Sequence, residues 1–343
     1  MIQTANINMV ILARESRGFN QTELANKMGF APTFLSKIER GEAIISDEQL
    51  KGISDITHYP LSFFYQEGEI VPENINYRKR EKVAQKNLTL VNARVNLERL
   101  YVKNLSASLN IPPPSIPSIN VTSDITPSDI AHKIRSLWKL KSPIIDNVTD
   151  ILEQHGIAVR IVNFGTERID SRTILTDNKY PVIVLNKILL GDRQRFSLAY
   201  QLGHLVMHTF TSVDWNRDIG HEANLFAAEF LMPEKEMKKE FKDGITLALL
   251  AELKRKWKVS MISLLYRADD LGFLSDNQKR YLVQQFNDKK IRRREPVELD
   301  VAAEQPSLVR SWISDLKKKQ KLDVTGLAAE LHLNMDEFIE LYG

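Results

Sequence analysis

The sequence predicts a multidomain chain: an all-α five-helix module over residues 1–66, a basic helical linker over 67–120, an α+β domain over 121–275 and a helical region over 276–343. Three observations predict it. At roughly 100–200 residues per domain, a chain of 343 residues with 43% hydrophobic content can fill two or three cores. Apolar residues in the first 66 positions recur at helical spacing. Between 157 and 185 the apolar runs become short and β-branched, with helical periodicity before and after them.

In the first module the punctuation is explicit. Asn20 can cap a helix at Gln21–Met28, Gly29 ends it, Pro32 opens the next in its first turn and Gly41 terminates that one. Ser46 caps a fourth helix and Pro60 starts a fifth. Helix, tight turn with glycine, helix is the helix-turn-helix plan. In the second of these helices Phe34, Leu35 and Ile38 face inward. Pro32, Thr33, Ser36 and Lys37 are left outward at the N-terminal end, where a reading helix presents short or donor-bearing side chains to base edges. Gln21 opens the preceding helix, in reach of a phosphate or a base.

The linker carries Tyr77-Arg78-Lys79-Arg80, and Arg78, Lys79 and Arg80 are candidate phosphate contacts. They matter because residues 1–70 hold 6 Lys/Arg against 9 Asp/Glu, so the module has no cationic surplus of its own. Leu90, Ala93, Leu97, Leu100 and Ala107 mark a helix to Leu109, either a candidate dimerisation helix or a helix packed on its own chain. Ile111-Pro112-Pro113-Pro114 closes the linker. Helices follow at Thr126–Trp138 and Pro143–His155, and strands at Ile157–Val162, Arg172–Leu175 and Val182–Leu185. Two more helices then run Arg193–His208 and Glu222–Leu231. The clusters at 289–294 and 317–319 read as solvated helix faces, because acids are interspersed around them.

No apolar run approaches the ~20 residues a membrane span needs, so a membrane partner is not expected and a cytoplasmic location is. With no cysteine there is no thiolate ligand, disulfide or thiol nucleophile.

Gln21, Leu24-Ala25, Gly29 and Ser36-Lys37-Ile38-Glu39-Arg40-Gly41 make residues 5–66 resemble the Xre, or phage-repressor type, helix-turn-helix of the lambda-repressor-like fold. That resemblance implies a double-stranded DNA operator and a homodimer on two half-sites. Residues 125–275 resemble the zincin-like ImmA/IrrE metallopeptidase family, through Arg195-Phe196-Ser197-Leu198-Ala199-Tyr200-Gln201-Leu202-Gly203-His204 and Glu222-Ala223-Asn224-Leu225-Phe226-Ala227-Ala228-Glu229-Phe230-Leu231-Met232-Pro233. In that family His-Glu-x-x-His and a later Glu hold zinc and activate water. Here those places carry Tyr200, Gln201, His204 and Gly220, so no catalytic residue and no cofactor, zinc included, is expected. A shifted site built from His204, His208, His221 and Glu222 is the metal-retaining alternative.

The resulting expectation is a transcriptional regulator whose inactive peptidase-like domain senses a small-molecule effector or a protein, with Tyr200, Gln201 and His204 lining the former cleft. The alternatives are an antitoxin that binds a co-encoded toxin and regulates its own gene, and an active zinc peptidase that cleaves a repressor.

Overall fold

The computed structural model describes residues 4–72, 77–79, 83–211, 214 and 216–342. Helices α1 (Ile7–Ser16), α2 (Gln21–Met28), α3 (Pro32–Glu39) and α4 (Asp47–Thr57) form the N-terminal module, followed by a 3-10 turn at Leu61–Tyr65 in place of the fifth α-helix expected. Ser46 closes a capping box with Gln49 at the start of α4, a local signal that the sequence carries in full.

A short strand, β1 (Tyr77–Lys79), and a 25-residue helix, α5 (Gln85–Leu109), come next. Then follow α6 (Pro127–Leu137), α7 (Val148–Gln154), β2 (Ala158–Val162), β3 (Ile169–Leu175), β4 (Pro181–Asn186), α8 (Gly191–Met207) and α9 (Ile219–Leu231). The remaining helices are α10 (Glu234–Glu240), α11 (Leu247–Trp257), α12 (Met261–Asp270), α13 (Asp276–Asp288), α14 (Leu308–Gln320), α15 (Val324–Glu330) and α16 (Met335–Tyr342). No helix among the described residues is long and apolar enough to cross a membrane.

The sheet has the order β1-β3-β4-β2, with β2 parallel to β4 and the other pairs antiparallel. Alternation sends its side chains to two cores. Val159, Ile183 and Leu185 join a core built from α6 to α13, whereas Ala158, Val182 and Val184 join a second core with α1, α4, α5 and α14 to α16.

Helix α5 is the wall between the sheet and the N-terminal module. Val91, Val95, Leu100, Val102 and Leu105 are buried along it. Glu98 ties it to β2 through Arg160, and Asn92 ties it to β3 through Arg172. The structure thus packs α5 on its own chain, the second of the two readings that the sequence offered. A long apolar helix beside an uncovered sheet face buries itself there first. Residues 276–343 likewise divide: Leu282 and Phe286 of α13 enter the first core, whereas α14 to α16 close the second and reach the N-terminal module through Arg17–Glu337 at 2.9 Å.

Candidate functional site

The outer face of α3 is built by local rules. Asn20 and Glu23 form a capping box at the start of α2, Gly29 ends that helix at φ 68°, and Pro32 occupies the first turn of α3. Leu24, Ala25 and Leu35 pack between the two helices. Pro32, Thr33 and Lys37 remain exposed and Ser36 half-buried.

Glu39 accepts from Arg14 at 2.6 and 2.9 Å and from Gln21 at 2.7 Å, which locks α1, α2 and α3 together. One amide N–H of Gln21 is therefore committed inside the module. Sequence reasoning gave Arg14 and Glu39 no role. The Glu of the Ser-x-Ile-Glu-x-Gly pattern was the available signal, but its partner on α1 is 25 residues away.

Arg78 departs from the phosphate-contact expectation. Pairing of β1 with β3 carries it onto α8, where its guanidinium donates to Ser197 Oγ at 2.7 Å and lies over the Phe196 and Tyr200 rings at 4.7 and 5.4 Å. Arg80 and the Lys79 side chain lie outside the described residues.

The second site lies between α8 and α9. A Cβ on Gly203 would stand 3.0 Å from the Phe226 ring, so a glycine there lets the helices approach closely. The Tyr200 and His204 rings meet edge-to-face at 4.7 Å. A Cβ on Gly220 would lie 3.5 Å from Tyr200 Oη. Positions 200 and 204, one turn apart on α8, and 220 on α9 thus face one small volume.

Gln201 points to the sheet instead. Its Oε1 accepts from Thr173 Oγ1 at 2.8 Å and its Nε2 donates to Ser171 Oγ at 2.9 Å. Gln201 is fully buried, His204 is 1% exposed and Tyr200 6%, so these side chains pack rather than line an open cleft, correcting that expectation. Nothing in the sequence pointed to Ser171 and Thr173, because their pairing with α8 is tertiary.

Behind His204 runs a relay. Its Nδ1 is 2.9 Å from His208 Nδ1, and His208 Nε2 is 2.8 Å from Glu222, which Arg217 also holds. Burial pushes the His208 imidazole down despite the Glu222 bond that favours its charge. Burial works against the Glu222 charge, but bonds from Arg217 and His208 outweigh it and hold the carboxyl below its usual range. With His208 neutral and donating to Glu222 through Nε2, its Nδ1 accepts from His204 Nδ1. His204 Nε2 is then a bare lone pair, buried and without a hydrogen-bond partner among the described residues.

Residues 152–269 match the family model described as the IrrE N-terminal-like domain of a peptidase family, and residues 10–64 match a helix-turn-helix model. The chain joins a helix-turn-helix to an IrrE-like domain. No curated protein matches it.

The IrrE-like domain does not offer a donor set that fits zinc. His204 supplies one imidazole lone pair, Gly220 supplies no side chain, and Gln201 is a neutral amide turned to β3. Ligation by Tyr200 requires a phenolate, and burial, with Asp218 adding to it, raises that phenol despite the opposing Arg78 cation. The shifted set does not assemble either. His204 and His208 bond to each other, His221 is exposed, and among the described residues no three His, Asp or Glu side chains are placed to hold an ion.

The neutral relay has a measurable consequence. Burial, with His208 adding to it, lowers His204 from 6.5 to about 3. Below pH 6.5 the unfolded chain binds a proton there and the folded chain does not, so stability falls as pH drops toward 3. Between pH 6.5 and 5 this amounts to about 2 kcal/mol, and His208 acts in the same direction. Urea unfolding at pH 7 and pH 5 checks it: His204→Asn loses about 2 kcal/mol less across that interval than the parent. Equal losses in the two proteins contradict a neutral, buried His204.

Proposed function

We propose that this chain is a sequence-specific DNA-binding transcriptional regulator whose IrrE-like domain holds a ligand or a protein and does not hydrolyse peptides. The observation that carries the reading is the state of position 201. A carboxamide cannot take a proton from water at neutral pH, and both ends of this one are occupied by Ser171 and Thr173. The reading face of α3, in contrast, is open and braced by Glu39.

The two modules share the core around α5, which supports a route by which occupancy of one domain biases the other. A homodimer on two half-sites is part of the proposal, with Pro32, Thr33, Ser36 and Lys37 at the groove.

The test selects an operator from a random duplex library with the full chain and then measures affinity of Thr33→Ala with Lys37→Ala. Each base or phosphate contact contributes about 1–3 kcal/mol, so the double variant binds on the order of 100-fold more weakly. Absence of any enriched sequence, or unchanged affinity in the variant, removes the DNA-reading half. Chelator-sensitive cleavage of a protein by the parent chain removes the other half. A stable complex with a co-encoded toxin replaces the sensing role with neutralisation.

A further inference from the structure

We infer that the cleft between the β2–β3 loop and the segment after α13 binds a small anion carrying at least two phosphates. This site stands on its own geometry and goes beyond the DNA-reading proposal.

The cleft has a volume of about 1180 Å³ and brings together Arg168 from the β2–β3 loop, Arg193 from the first turn of α8, and Lys290, Arg292 and Arg293 from beyond α13, with Glu167 as the single acid among the described lining residues. The run at 289–294, expected as a solvated helix face, is not helical. The helix stops at Asp288, Lys290 N donates to Asn287 O and Ile291 N to Phe286 O, both at 2.9 Å, and the chain folds back. Phe286 and Ile291 anchor this return in the first core, which turns Arg292 and Arg293 outward. Arg294 is diverted to Asp300 at 2.5 and 2.6 Å.

Among the described residues, Lys290, Arg292 and Arg293 make no ion pair with an acid, whereas Arg193 is held bidentately by buried Asp170 at 2.8 and 2.9 Å. Asp170 offsets Arg193, so Lys290, Arg292 and Arg293 are left to repel one another beside Glu167, and an occupant with several negative charges offsets that repulsion. The guanidinium fork matches phosphate oxygens two at a time. The cations stand on both walls, so one phosphate meets only part of them whereas two or three linked phosphates span the gap. The volume suits a small molecule of about nucleotide size. A recess with charges on opposing walls also differs from the convex basic stripe that follows a duplex backbone.

The experiment is titration calorimetry of the full chain with sodium tripolyphosphate, free of divalent metal, at roughly 0.15 M salt. Expected is saturable one-site binding, weakened by about tenfold or more in the Arg292→Ala with Arg293→Ala variant. Both replaced side chains are exposed and their loss relieves repulsion, so thermal unfolding without the anion is not lowered. No saturable binding by the parent, or equal affinity in the double variant, overturns the site. Loss of affinity for non-operator duplex DNA in the double variant, without tripolyphosphate binding by the parent, gives the cleft to a nucleic-acid backbone and overturns it too.

Discussion

Tyr200→His combined with Gly220→Glu yields a protein that takes up one zinc ion per chain, where the parent dialysed in parallel takes up none. The ring at position 200 already lies against His204, and a Cβ at 220 meets only Asp218 Oδ1 at 3.4 Å and Tyr200 Oη at 3.5 Å, which is ordinary contact. The Glu222–His208–His204 relay already holds one Nε2 lone pair toward a buried space, the outer support a zinc-bound imidazole needs. Two imidazoles and a carboxylate then make the usual catalytic donor set. At a metal concentration about 1,000 times the dissociation constant, linkage raises stability by about 4 kcal/mol. Elemental analysis and chelator-dependent melting measure both effects. A folded variant without metal would mean that positions 200, 204 and 220 do not converge. Gln201→Glu alone gives no uptake, because that side chain faces Ser171 and Thr173.

Lys254→Met destabilises the chain by about 3–5 kcal/mol at pH 7. Lys254 is 1% exposed, and its ammonium donates to Asp192 at 2.5 Å and Glu295 at 2.7 Å, so α11 is clasped to the start of α8 and to the return segment after α13. Burial disfavours the Lys254 charge, yet the two carboxylate bonds outweigh it and raise its pKa. Removing the cation leaves two buried carboxylates facing a hydrocarbon. Adding Asp192→Asn with Glu295→Gln removes those charges and recovers much of the loss. Denaturant midpoints of the single and triple variants check this. A triple variant no more stable than Lys254→Met would make packing, and not charge, the cause.

Both predictions depend on contacts across long sequence separations, and such contacts are where reading the sequence fell short. The Asn20 capping box, the Gly29 stop, Pro32 in the first turn of α3 and the Ser46 cap each involve residues within a few positions of one another, so the sequence displays them. Three strands were visible as β-branched runs. The fourth, β1, has only three residues and exists because the edge of β3 accepts it, which no property of Tyr77–Lys79 announces. Its pairing moved Arg78 from a supposed DNA contact to the ring of Tyr200. The cleft with Arg292 and Arg293 was equally hidden, since a basic run looks alike whether a helix continues through it or folds back.

By itself the sequence determined the two kinds of module, the outward face of α3, and the chemical identity of positions 200, 201, 204 and 220, because side-chain type and helical spacing are properties of the chain. Only the tertiary structure decided that α5 is an internal wall, that Gln201 is bound at both ends to β3, that His204 keeps an unpartnered nitrogen, and that cations from three segments share one recess. Those outcomes depend on which surfaces meet when a sheet with two apolar faces has to cover both, and the partners come from segments tens to hundreds of residues apart.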